Sequence, residues 1–137
     1  MADRRPRVWV SQPLFDDVVE QLGQHVDLDM TGEVTRYTPQ QLAERLAGVD
    51  GALITLNERI GAAEIANAPQ LRAIANVGVG YNNLDVGALS AAGILASNTP
   101  DVLTETTADM GFALLMAAAR RITESERWLR DGQWGQW

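Results

Sequence analysis

Cysteine is absent from the 137 residues, and so is lysine. The first absence excludes disulfides, thiolate metal sites and cysteine nucleophiles, and it suits a reducing compartment, so the expected location is the cytoplasm. The second, with a net charge of −7, argues against general nucleic-acid binding, which draws most of its affinity from clustered cationic side chains on phosphates. Arg4, Arg5 and Arg7 form the only dense basic cluster and read as a solvated N-terminal tail. A single histidine, His25, reads as a solvated loop residue, and without partners of its kind it leaves no metal cluster to expect. Long apolar runs are also missing. The longest, Met110 to Ala119, has ten residues, about half of the ~20 that a membrane-crossing helix needs. Val8-Trp9-Val10, after the basic start, is too short for the apolar core of an export signal.

What is present is an ordinary soluble composition, 46% hydrophobic and 21% charged, enough for one globular domain. Arg7 to Val10 reads as a first strand ended by Ser11-Gln12-Pro13, and Leu14 to Gly23 as a helix with Leu14, Phe15, Val18, Val19 and Leu22 on one face. Val26 to Met30 is the second strand. Thr38-Pro39 supplies an N-cap and a first-turn proline for a helix ending at Gly48. Gly51 to Thr55 is a buried strand, Ala62 to Ala66 a short helix, Leu71 to Val77 a strand, Asp85 to Ala92 a helix stopped by Gly93, and Ile94 to Ser97 a fifth strand. Such alternation with short connections specifies an α/β fold: a parallel five-stranded sheet with helices on both faces. Pro100 separates this unit, residues 1–99, from residues 100–137, where one long helix is expected from Val102 to Asp131. Its middle is apolar on every side, so it needs enclosure by a second domain or a second copy.

Gly78-Val79-Gly80 ends the fourth strand. It does not complete a dinucleotide fingerprint, because the third glycine would fall at Asn83. Glycines at the carboxyl edge of a parallel strand let a ligand approach the backbone and leave amides able to bind a small carboxylate. The same glycines also serve a plain tight turn into the next helix, and spacing alone leaves both readings open.

Pro69 to Ala75, the segment Asn76-Val77-Gly78-Val79-Gly80-Tyr81-Asn82-Asn83-Leu84-Asp85, Ala92-Gly93-Ile94, and Ser97 to Asp109 together resemble the D-isomer-specific 2-hydroxyacid dehydrogenases, nearest to their glyoxylate/hydroxypyruvate reductase branch. The resemblance runs over roughly 45–134. It implies a flavodoxin-like substrate domain, a long helix crossing into an NAD(P)-binding domain, and hydride transfer between NAD(P)H and a small 2-keto or D-2-hydroxy acid. Carried over by position, the amides of Val79 and Gly80 would hold the substrate carboxylate, Gly78 would permit the turn, Leu56 would line the pocket and Thr107 would face the nicotinamide. Leu56 as an exposed loop residue, and Thr107 with its hydroxyl on local backbone, are the plainer alternatives. The family's catalytic arginine, acidic residue and histidine and its nucleotide loop match nothing up to Trp137. The chain alone is therefore expected to turn over no substrate and to bind NAD(P) weakly at best.

Among other constellations, Asp16-Asp17 suggests a response-regulator receiver, but Thr55-Leu56-Asn57 stands where its phosphoacceptor would be and lysine is absent. Glu126 and Arg130 form an i, i+4 pair. Trp128, Trp134 and Trp137 offer an apolar contact surface. A homodimer through the long helix is the expected assembly, and an association module without catalysis is the alternative function.

Overall fold

The computed structural model describes residues 4–136, so Trp137 of the tryptophan cluster lies outside them. The chain forms two compact units, Met1–Pro100 and Asp101–Trp137. In the first unit five strands alternate with four helices: β1 (Arg7–Val10), α1 (Asp16–Gly23), β2 (Asp27–Met30), α2 (Pro39–Leu46), β3 (Gly51–Thr55), α3 (Ala62–Ala66), β4 (Ala73–Val77), α4 (Val86–Ala91) and β5 (Leu95–Ser97). Every strand pair is parallel, in the order β2-β1-β3-β4-β5, which is the flavodoxin-like arrangement expected.

Local chemistry accounts for the helix starts. Thr38 caps α2 with a reciprocal box: its Oγ1 accepts from the Gln41 N–H at 3.3 Å, and Gln41 Oε1 accepts from the Thr38 N–H at 2.9 Å. Asp85 caps α4 through Oδ1, which accepts from the Ala88 N–H at 2.9 Å. After α4, Gly93 takes the left-handed conformation at φ 69°, the usual device for ending a helix at a glycine.

The register puts Trp9, Ala52 and Ile74 on one face of the sheet, with Ile54 one step further along that face. Leu42 and Leu46 of α2, Ile65 of α3 and Leu89 of α4 close over them to make the core. Trp9 is fully buried, with Tyr37 edge-on at 5.2 Å, and its Nε1 has no acceptor among the described residues. The opposite face is thinner. Val8, Leu53 and Ala75 are only half-buried there, and Leu95 is 76% exposed. α1 lies against β2 and buries none of its residues fully, and Phe15, expected on its inner face, is instead its N-cap and exposed. The helix begins two residues later than its apolar spacing suggests, because Asp16 and Asp17 occupy the first turn, where carboxylates complement free N–H groups.

In the second unit the single helix expected over Val102 to Asp131 is two: α5 (Thr104–Ala119) and α6 (Ile122–Arg130). Arg121 takes a left-handed conformation, φ 52°, ψ 39°, which ends the hydrogen-bond ladder of α5 and starts α6. Its guanidinium Nε then bonds Glu124 at 2.7 Å, and Arg130 pairs with Glu126 as the spacing implied. Neither glycine nor proline marks this break. Met110, Phe112, Leu114 and Leu115 of α5 are all exposed. No helix among the described residues is long and apolar enough to cross a membrane.

Candidate carboxylate site at the sheet edge

At the carboxyl edge of a doubly wound sheet, loops from neighbouring strands converge and backbone amides are left without ladder partners, so ligands settle there. Here Ser11 and Gln12 follow β1, Leu56 to Arg59 follow β3, Gly78 to Asn83 follow β4, and Asn98 follows β5. Leu56, Asn57, Arg59, Gly80, Asn82 and Asn83 line an open hollow of about 620 Å³.

The glycine turn has its carbonyls held; the Gly78 N–H is also used, donating to Asn76 O at 2.9 Å, and the next two amides are free. Gly78 O accepts from the Thr99 N–H at 3.0 Å, Val79 O from Asn98 Nδ2 at 2.8 Å, and Gly80 O from Asn76 Nδ2 at 2.9 Å. Among the described residues the N–H groups of Val79 and Gly80 have no acceptor. A run of such amides in a fixed turn is an anion-binding device that needs no charged side chain.

Gly78 is required for a reason the sequence did not suggest. Its backbone does not enter the left-handed region, which among glycines is reserved for Gly93 and Gly132. Instead a Cβ there would stand 2.6 Å from Leu56 Cδ2 and 2.7 Å from Cγ. The glycine thus leaves room for the Leu56 side chain, which covers the turn while staying 54% exposed. Leu56, Gly78, Val79 and Gly80 accordingly meet at one edge. Thr107 lies in the second unit, in the first turn of α5, where its N–H bonds Leu103 O at 2.9 Å and its hydroxyl has no partner among the described residues.

Three further residues shape this edge and were not singled out in the sequence. Glu58 is 1% exposed, yet no cation pairs with it among the described residues. Its carboxylate accepts from Ser11 Oγ (2.8 Å), Gln12 Nε2 (3.0 Å), the Thr55 N–H (2.8 Å) and Thr55 Oγ1 (2.9 Å). Asn76, also 1% exposed, donates from Nδ2 to Asn83 Oδ1 at 3.2 Å. The available signal was the two asparagines flanking the glycines, since buried amides must find partners.

The turn does not fit a dinucleotide. A third glycine serves close packing of helix on strand in that motif, whereas Asn83 here has its side chain committed to backbone and to Asn76. His25 is exposed in the turn after α1, away from any cluster, and no group of metal-ligating side chains occurs among the described residues.

These features define the class: a flavodoxin-like α/β unit with two free amides in the turn after β4, at the carboxyl edge of the sheet. The chain belongs to the D-isomer specific 2-hydroxyacid dehydrogenase family, whose catalytic-domain model matches residues 8–126. It is 40% identical over 130 residues to a glyoxylate reductase of Korarchaeum cryptofilum and 36% identical to one of Pyrococcus furiosus, in each case covering 95% of this chain and 39% of the relative. Among solved structures it matches the TT0316 protein of Thermus thermophilus at TM-score 0.81 and 34% identity, covering 96% of this chain and 42% of that one. It also matches an NADPH-dependent glyoxylate/hydroxypyruvate reductase of Sinorhizobium meliloti, in complex with NADP and malonate, at TM-score 0.70 and 32% identity, covering 95% and 39%. The chain spans about two fifths of the length of these relatives.

Proposed function

We propose that this chain is the substrate-side part of an NAD(P)-dependent oxidoreductase that transfers a hydride between the nicotinamide and a small 2-keto or D-2-hydroxy acid, glyoxylate or hydroxypyruvate being the expected substrates. The observation that carries the reading is the pair of free amides at Val79 and Gly80, beside Leu56, at the carboxyl edge of the sheet in a chain of this family. Val79 and Gly80 hold the carboxylate, Gly78 makes room for Leu56, and Leu56 supplies the apolar wall. The malonate in the Sinorhizobium relative is a small carboxylate of the same chemical kind. Residues 1–99 form the substrate domain, residues 100–137 begin the passage to a nucleotide-binding domain, and Thr107 faces the nicotinamide there. The cytoplasm is the compartment this chemistry and the cysteine-free sequence suit.

Binding is separable from turnover. A bound keto acid still needs a hydride donor and a proton donor for reduction. The chain alone is inactive on this reading. Titration of the isotopically labelled chain with oxamate, an irreducible 2-keto acid analogue, should shift the amide signals of Val79 and Gly80 before others. Shifts that spare both residues would sink the carboxylate assignment. Oxidation of NADPH by the chain with hydroxypyruvate, at an ordinary enzymatic rate, would sink the claim of inactivity.

A second reading rests on α5, whose Met110, Phe112, Leu114 and Leu115 are exposed together. Two copies associating through α5 bury those side chains against each other. Light scattering should report a dimer that Leu115→Asp dissociates; a monodisperse monomer rules this assembly out.

A further inference from the structure

The two loops that make the proposed carboxylate site belong to different strands, and their separation decides whether Leu56 and the free amides can contact one small acid. The loop after β3 is closed on itself by Glu58, whose carboxylate takes the Thr55 N–H and Oγ1, by the Asn57 N–H on Thr55 Oγ1 at 3.3 Å and by one long backbone bond, from the Glu58 N–H to Thr55 O at 3.4 Å. None of these bonds reaches the glycine turn, so the distance between the two loops is set by other contacts. Asn83 Nδ2 reaches Thr55 O at 3.1 Å and Glu58 O at 3.0 Å, the two carbonyls that bracket the loop. On its other side Asn83 joins Asn76, which holds Gly80 O. The Asn83 carbonyl then accepts from the Ile60 N–H at 2.8 Å, where the loop leaves. One residue therefore ties the start, the middle and the exit of the Leu56 loop to the glycine turn. Glu58 seats the same loop from below, through Ser11 and Gln12 at the end of β1.

Resting on the carboxylate reading above, we propose that Asn83 is the positioning residue of this site: its side-chain amide clips the Leu56 loop to the glycine turn and so sets the width of the cleft before any acid enters. A network of partly buried amides is stiff because each lost bond leaves a carbonyl unsatisfied. The clip makes the cleft preorganised, so that the acid bears little of the cost of ordering two loops.

The test compares the chain with Asn83→Ala, Asn83→Asp and, as a control of reduced stability away from the cleft, Thr38→Ala. Oxamate affinity and fast backbone mobility at Asn57 and Gly80 are read by NMR. Asn83→Ala should weaken oxamate about tenfold, the scale of a modest misplacement in a site, and should loosen Asn57 and Gly80 together. Asn83→Asp, which keeps the shape and the acceptor for Asn76 but turns an oxygen toward two carbonyls, should bind no better than Asn83→Ala. Thr38→Ala should leave both readouts unchanged. If Asn83→Asp retains wild-type affinity and order while Asn83→Ala does not, the side chain only fills space and the proposal is overturned. If neither variant loosens the loops, it is overturned as well. If wild type fails to bind oxamate but both Asn83 variants still loosen Asn57 and Gly80, the substrate reading fails and the clip stands. Should both variants unfold, wild type answers by itself: slow exchange of the Asn83 Nδ2 protons supports the clip, and exchange as fast as a free amide's rejects it.

Discussion

Gly78→Ala has an expected sign that depends on one other side chain. The new Cβ would lie 2.6 Å from Leu56 Cδ2 and 2.7 Å from Cγ, about 1 Å inside the 3.5–4.0 Å of a normal carbon contact. Overpacking of this kind costs about 1–3 kcal/mol. Leu56 is 54% exposed and can rotate outward, so a cost near the lower end, about 1–2 kcal/mol, is appropriate. Against it stands a gain of about 0.4–1 kcal/mol, because alanine restricts the unfolded chain and the Gly78 backbone needs no positive φ. Gly78→Ala should therefore lower stability by roughly 1 kcal/mol, a fall in Tm of about 4–8 °C for a unit this size. In a Leu56→Ala background the clash is gone and the entropy gain remains. There the same substitution should raise stability by about 0.4–1 kcal/mol. Thermal or urea unfolding of the four proteins gives the coupling directly, with about 0.3–0.5 kcal/mol as the limit of additivity for independent sites. Additive effects would refute the close-approach reasoning and return the glycine to a purely conformational role.

Thr38→Ala removes the Oγ1 acceptor of the α2 capping box and should cost about 0.5–2 kcal/mol, read as a urea midpoint shift with an unchanged slope. Leu46→Ala empties a fully buried position of the core and should cost about 2–5 kcal/mol; a loss below 1 kcal/mol would mean that α2 is not packed as described. The Arg7 N–H bonded to Asp50 holds its carboxyl below the usual carboxylate range; burial opposes this, and the Arg4 charge and hydrogen bond reinforce it. A depressed folded-state value means stabilisation that is complete above the unfolded value of about 3.9 and is lost as pH falls through the folded value. Asp50→Asn should accordingly flatten the acid limb of a Tm-against-pH curve, and identical limbs would contradict it.

The order of elements was legible because its signals are local. Thr38-Pro39, Gly93 and the short apolar run Gly51-Ala52-Leu53-Ile54-Thr55 act through neighbours in sequence, and β1, β3 and α3 fall where the chain alone puts them. The glycine turn was legible in the same way, as a glycine pair at a strand end, and the family as a resemblance. Long-range geometry decided the rest. No local rule says that Arg121, itself a good helix former preceded by Ala118, Ala119 and Arg120, turns left-handed and divides the C-terminal helix. Apolar spacing names an inner face for α1, but burial depends on what lies opposite; α1 packs against β2 without burying any residue fully, and Phe15 stays in solvent. The sequence offered Gly78 either a tight turn or a ligand lying close to the backbone; the close approach of Leu56, 22 positions earlier in the sequence, exists only once the chain is folded. Glu58 carries no pattern on its own, and Asn76 and Asn83 show only that they flank the glycines. Their meaning comes from hydrogen bonds across three strand ends, which form only when β1, β3 and β4 lie side by side.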